Sequence, residues 1–255
     1  MSTPTRAPRD PDDCRAWLFD LDGVLTRTAD VHAAAWSAVF DEFLATRGSS
    51  APGPDRPSAP FDPVADYLRY VDGRPRADGV RTFLASRGIV LPEGDADDPP
   101  GLPTVAGIAD TKNRRVQEIL ESRGVAVYDG AVDLVRSLRA RGVRTAVVSA
   151  SENTPAVLRA AGIDGLFDAC VDGSVVRERH LAGKPAPDSY LEAARLLGVD
   201  PSLAAVVEDA RAGVEAGRAG HFGLVVGVDH TGQADELRSH GADIVVGDLA
   251  ELLRR

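Results

Sequence analysis

At 255 residues, with 44% hydrophobic and 27% charged residues, the chain has the composition of a soluble globular protein able to bury one large core or two modest ones. A net charge of −10 argues against nonspecific binding to nucleic acid or to an anionic membrane, so an anionic substrate must meet a locally positive pocket. No apolar run approaches a membrane span, and the Pro-, Arg- and Asp-rich start, 1–13, is neither a signal peptide nor an anchor. With Cys14 before one strand-like run and Cys170 inside another, reduced thiols in a cytoplasmic protein are expected.

In chain order, the first element is a buried strand over 16–19 that runs into Asp20-Leu21-Asp22-Gly23. The pleat returns Leu21 to the core, so both carboxylates can face one cleft at the strand's carboxyl edge. Two like charges that close repel unless a cation sits between them or one holds a proton. That layout suits a metal-assisted carboxylate nucleophile with a second carboxylate as acid/base. The pattern then turns helical, with stretches over 28–46, 64–70, 79–86 and 111–122 and no convincing strand between. Pro/Gly/Ser/Asp-rich segments at 48–60 and 92–103 read as long surface loops.

From there strands and helices alternate. A helix over 131–141 shows Val132, Val135 and Leu138 at helical spacing, and a strand over 145–149 follows. Its end, Ser149-Ala150-Ser151-Glu152-Asn153, bunches hydroxyls and amides where the next helix, 153–161, begins. Such a turn can hold an anion, or it can be an ordinary serine cap. Next come Lys184, stiffened by Pro185 and Pro187, a helix over 188–197 and a strand over 204–207 ending in Glu208-Asp209. The paired carboxylates are oxygen donors of the kind Mg²⁺ prefers. A helix over 213–219 and strands over 222–228 and 244–246 complete the series. Gly142, Gly162, Gly198 and Gly220 fall where helices should stop. The alternation implies an α/β fold, a Rossmann-like parallel sheet with helices on both faces. Of 29 lysines and arginines only Lys112 and Lys184 are lysine, which singles them out for sites needing a compact ammonium.

The ordered set of Asp20-Leu21-Asp22-Gly23-Val24, strand-end Ser149, Lys184-Pro185 and Glu208-Asp209 resembles the haloacid dehalogenase superfamily over almost the whole chain. Thr28, His32, Trp36, Gly73, Arg76 and Lys112-Asn113 resemble its β-phosphoglucomutase-like subfamily. The resemblance implies a core domain at 1–27 and 124–255 with a helical cap domain inserted at 28–123. It further implies that Asp20 is phosphorylated and that Asp22 is the general acid/base. Mg²⁺ is then held by Asp20, the Asp22 carbonyl, Asp209 and Glu208. Ser149, the Ala150 amide and Lys184 cradle the transferring phosphoryl, while Arg76, Ser151 and Asn153 hold the distal phosphate. Thr28, His32, Trp36, Gly73, Lys112 and Asn113 link hinge, cap and sugar. The implied reaction interconverts β-glucose 1-phosphate and glucose 6-phosphate through a 1,6-bisphosphate. The alternative is a Mg²⁺-dependent sugar-phosphate phosphatase. The expected partner is a small sugar phosphate bound by a monomer, with neither nucleic acid nor membrane involved.

Three residues depart from the pattern. Glu152 stands where the subfamily usually has a lysine at the distal phosphate, so its carboxylate should turn to solvent or pair with an arginine. Arg27 or Arg74 is the candidate to restore the positive charge. Ala210 replaces a hydroxyl, and Arg27 an acidic residue.

Overall fold

The computed structural model describes residues 10–47, 59–71, 74, 76–95 and 98–254. The chain separates into two compact units, Met1–Thr28 with Val125–Arg255, and Ala29–Gly124.

The first unit is built on a parallel sheet of six strands among the described residues: β1 (Ala16–Phe19), β2 (Arg144–Val148), β3 (Ala169–Val171), β4 (Ala204–Glu208), β5 (Leu224–Val228) and β6 (Ile244–Val246). Their spatial order is β3-β2-β1-β4-β5-β6. β1 is central, with Phe19 level with Val147 on one side and Val207 on the other. All four β1 residues are buried, and fully burying a large apolar side chain is worth about 1.5–3 kcal/mol. The chain leaves β1 toward β2 and later returns to its other flank as β4. Strand order therefore reverses between β1 and β4, where open α/β sheets bind ligands.

The unit's helices are α4 (Asp129–Ala140), α5 (Thr154–Ala160), α6 (Gly173–Glu178), α7 (Asp188–Leu197), α8 (Arg211–Ala219) and α9 (Ala234–Ser239). Gly142, Gly162 and Gly198 take the expected left-handed φ of 75°, 68° and 67°. Gly220 does not, lying at φ −77° as the cap itself, with His221 making the left-handed turn at φ 58°. Glycine is needed there for closeness, since a Cβ would fall 2.7 Å from the Phe222 ring.

The second unit is helical: α1 (Thr28–Arg47), which begins at the boundary residue Thr28, α2 (Arg76–Ser86), α3 (Val105–Arg123) and a π-helical turn at Tyr67–Val71. Its core is aromatic, with Phe40 and Phe83 rings 4.1 Å apart and Phe61 5.1 Å from Phe83. The helix expected over 64–70 is present as helical residues 65–66 running into the π-helical turn at Tyr67–Val71, and Asp62 Oδ1 caps its start by taking the amides of Val64 and Ala65. α3 starts six residues earlier than the spacing suggests, capped by Thr104 Oγ1 on the Gly107 amide. The start lies beyond the loop expected at 92–103 and gives that loop a defined end. Most of the loop expected at 48–60 lies outside the described residues, as does Gly73.

Candidate active site

The strand-end aspartates emerge beside β4. The Asp20 amide still donates to the Val207 carbonyl at 3.0 Å, so Asp20 is held as if in the ladder and is 8% exposed. Leu21 is fully buried, as the pleat requires. Thr28, the first residue of α1, donates its hydroxyl to Asp22 Oδ1. Gly23 turns the chain at φ 86°, and a Cβ there would lie 2.0 Å from Asp209 Oδ2. What approaches Gly23 is thus the β4 carboxylate itself.

Lys184 arrives on the loop between α6 and α7. Its Nζ lies 2.5 Å from Asp20 Oδ1 and 2.5 Å from Glu208 Oε1. It also sits 4.9 Å from the centre of the Tyr190 ring. Tyr190, absent from the sequence-based candidates, donates its hydroxyl to Glu208 Oε1 at 2.9 Å. Glu208 Oε2 takes the amides of Asp209 and Ala210, each at 3.1 Å. Both oxygens of Glu208, 1% exposed, are therefore engaged by the protein. Gly213 in α8 makes this possible, because a Cβ there would fall 1.7 Å from Glu208 Oε1. Gly213→Ala should displace Glu208 from Lys184 and Tyr190 and destabilise the unit by about 1–3 kcal/mol, the usual cost of an overpacked core. A thermal melt within error of the parent would contradict that packing.

Burial raises the Asp20 pKa well above the usual carboxylate range, with Lys184 opposing and Glu208, Asp209 and Asp22 adding to the rise. Burial, then Glu208, pushes Asp209 up to about 8. Burial alone would depress Lys184, but Asp20 and Glu208 outweigh it and hold the ammonium above its ordinary value. One ammonium thus faces several carboxylates. Ligand oxygens of Asp20, Glu208 and Asp209 lie within 4.8 Å of one another. An all-oxygen, charge-deficient cluster fits a hard divalent cation.

On the other flank of β1, Ser149 is 3% exposed and its amide donates to Val171 O at 3.0 Å. Its hydroxyl accepts the Ser151 amide at 3.1 Å, and Ser151 Oγ accepts the Asn153 amide at 3.2 Å. The hydroxyls thus shape the turn that carries the exposed Ala150. Gly173 packs beneath it, where a Cβ would lie 2.5 Å from Ala150 O. Glu152 is paired with Arg177 of α6, so an arginine does compensate it. Arg27, one of the two candidates to restore the positive charge, lies over the Tyr128 ring, 4.7 Å from its centre.

In the helical unit, Lys112 is 7% exposed and donates to His32 Nδ1 at 2.8 Å, which leaves the imidazole proton on Nε2. The same ammonium is 5.1 Å from the centre of the Trp36 ring. Trp36 itself stacks on Phe40 and is 4% exposed, so it belongs to the unit's core. Arg76 opens α2, and burial lowers its guanidinium pKa while Asp110 works against the change. Asn113 follows Lys112 on α3. The sequence candidates therefore form two groups: Asp20, Asp22, Thr28, the 149–153 turn, Lys184, Glu208 and Asp209 in one unit, and His32, Trp36, Arg76, Lys112 and Asn113 in the other.

Comparison with known proteins matches residues 14–221 to a family described as haloacid dehalogenase-like hydrolase. The β-phosphoglucomutase of Mycobacterium tuberculosis is 53% identical over 246 residues, covering 95% of this chain and 93% of its own. That of Bacillus subtilis is 30% identical over 240 residues, with 93% and 91% covered. The crystal structure of CbbY from Rhodobacter sphaeroides in complex with phosphate superposes with a TM-score of 0.69 at 26% identity, over 94% of this chain and 96% of that one. A six-stranded parallel sheet with acidic turns at its switch point, matched across nearly the full length, means that the chain belongs to the haloacid dehalogenase-like hydrolase family, in its β-phosphoglucomutase-like branch.

Proposed function

We propose that the protein is a β-phosphoglucomutase, interconverting β-D-glucose 1-phosphate and D-glucose 6-phosphate through an aspartyl phosphate and a 1,6-bisphosphate. The observation that carries this reading is the 53% identity, across 95% of the chain, to a protein named for that activity. The buried Asp20–Lys184–Glu208 cluster supports transfer through a carboxylate.

In this reading a carboxylate oxygen of Asp20 attacks phosphorus as the bond from phosphorus to the sugar oxygen breaks. Asp22, steadied by Thr28, gives its proton to the departing sugar oxygen and in the reverse step takes one from the accepting hydroxyl. Such assistance is worth about 10²–10⁴-fold. Lys184 offsets charge on the equatorial oxygens, with Ser149 and the Ala150 amide completing the cradle. Mg²⁺ is assigned to Asp20, the Asp22 carbonyl and Asp209, where it would neutralise charge on the phosphoryl group. Because both its oxygens are already engaged, Glu208 serves chiefly to anchor Lys184. Arg76, Ser151 and Asn153 are assigned to the distal phosphate, and His32, Trp36, Gly73, Lys112 and Asn113 to the sugar and hinge. Residues 1–27 and 124–255 are then the catalytic core and 28–123 the cap, in a cytoplasmic monomer.

Phosphorus NMR on β-glucose 1-phosphate with Mg²⁺ and a trace of bisphosphate tests the reading. Glucose 6-phosphate should accumulate with little inorganic phosphate. Arg76→Lys replaces a bidentate fork by a point charge, so it should cut mutase turnover about tenfold or more and spare hydrolysis of an aryl phosphate. Inorganic phosphate dominating from the first turnovers, with both activities equally affected, would instead make the protein a sugar-phosphate phosphatase.

A further inference from the structure

The loop after β5 reaches both acidic turns. Gln233 Nε2 donates to the Asp209 carbonyl at 3.1 Å, on the turn that ends β4. His230 Nε2 lies 2.9 Å from the Gly23 carbonyl, on the turn that ends β1. A carbonyl can only accept, so Nε2 carries the proton. The two turns also meet directly, since the Asp209 carboxylate packs against Gly23 and leaves no room for a Cβ there. The loop is rigid in its own right: Asp229 Oδ1 takes the amides of Thr231, Gly232 and Gln233 at 2.7–3.0 Å, and Oδ2 takes that of Ala234 at 3.0 Å.

His230 has a second attachment. Its ring stacks on Tyr128 at 4.3 Å and 6°, and the Arg27 guanidinium lies over the same Tyr128 ring. Tyr128 and Arg27 lie on the two segments by which the chain re-enters and leaves the sheet unit, joined there by Arg27 N to Ala126 O at 2.8 Å and Tyr128 N to Leu25 O at 3.0 Å. His230 thus ties these crossing segments to the Gly23 turn.

We infer that His230 and Gln233 are positioning residues, which from one loop fix the backbones of the Asp20–Gly23 and Glu208–Asp209 turns and so set the spacing of their carboxylates. Both act through backbone carbonyls, Gly23 O and Asp209 O. Their effect is on the alignment of Asp20 with Asp209, and through it on divalent-cation affinity, which rests on the proposed use of those carboxylates. Partners that orient metal ligands in this way typically contribute about 10–100-fold to affinity or activity.

The test uses the full chain with His230→Phe, which keeps the stack on Tyr128 but loses the N–H, Gln233→Met, which keeps length but loses the amide, and the double variant. Hydrogen exchange read by mass spectrometry should become roughly tenfold faster in peptides spanning 20–26 and 206–212 of the double variant, with exchange in β2 unchanged. Calorimetric titration with Mg²⁺ and no sugar should give an affinity about tenfold lower, and kcat should fall while KM stays within about twofold. Unchanged exchange in both peptides overturns the inference whatever the kinetics do, and so does faster exchange spread over the whole unit. Because neither exchange nor the titration uses a sugar, failure of the mutase assay in the parent protein would sink the proposed reaction while the exchange comparison still decides this one.

Discussion

Asp20→Ala is expected to abolish turnover of sugar phosphate, a loss on the order of 10⁵–10⁶-fold, as when other covalent nucleophiles are removed. In the proposed reaction Asp20 is the attacking group; it is also part of the oxygen cluster with Glu208 and Asp209, and its immediate neighbours cannot replace it. Lys184 is held as an ammonium, and Glu208 is tied down at both oxygens. Stability should move the other way. Burial already disfavours the ionised Asp20 carboxylate, so the metal-free variant should melt at or above the parent temperature. Initial rates and a melting curve on the same preparation check both halves. Residual turnover near the parent rate with divalent metal present would rule out Asp20 as the phosphoryl carrier.

The second large effect is expected at Lys184. Replacing it by methionine keeps much of the apolar stem but leaves Asp20 and Glu208, 8% and 1% exposed, without their shared countercharge. Breaking a buried ion pair from one side costs about 3–5 kcal/mol. For a chain of this size that is a fall of roughly 6–20 °C in Tm. Adding Glu208→Gln to Lys184→Met should recover part of the loss, because one stranded charge is removed. Lys184→Arg should restore charge without turnover, since a planar fork cannot place one ammonium between two carboxylates 2.5 Å away on either side. Melting curves for the four proteins separate these outcomes. A methionine variant as stable as the parent would mean that the cluster is already neutralised without Lys184.

Fold class and family are legible in the sequence alone. β1 at Ala16–Phe19, α7 at Asp188–Leu197 and β6 at Ile244–Val246 coincide with their apolar runs, because each buries a continuous hydrophobic segment or stripe. α6 and α9 left no such trace, at six residues each too short to show a period. α3 extends six residues ahead of its sequence pattern, which Gly107 interrupts in the first turn. That glycine is there because a Cβ would meet the Leu102 carbonyl at 2.6 Å, a contact invisible in one dimension.

Tertiary structure alone decided the neighbours of the acidic residues. Nothing local marks Tyr190 as the second donor to Glu208, 18 residues away, or Gly213 as the space that Glu208 occupies. Charge rules require Glu152 to turn to solvent or pair with an arginine, but only the packing of α6 against the serine turn makes Arg177 that arginine. The same holds for His230 and Gln233, which meet Gly23 and Asp209 across 207 and 24 residues of sequence. Local patterning specifies which segments are buried and where polar groups leave them. Which of those groups then meet depends on strand order, and here the reversal between β1 and β4 brings them to one edge.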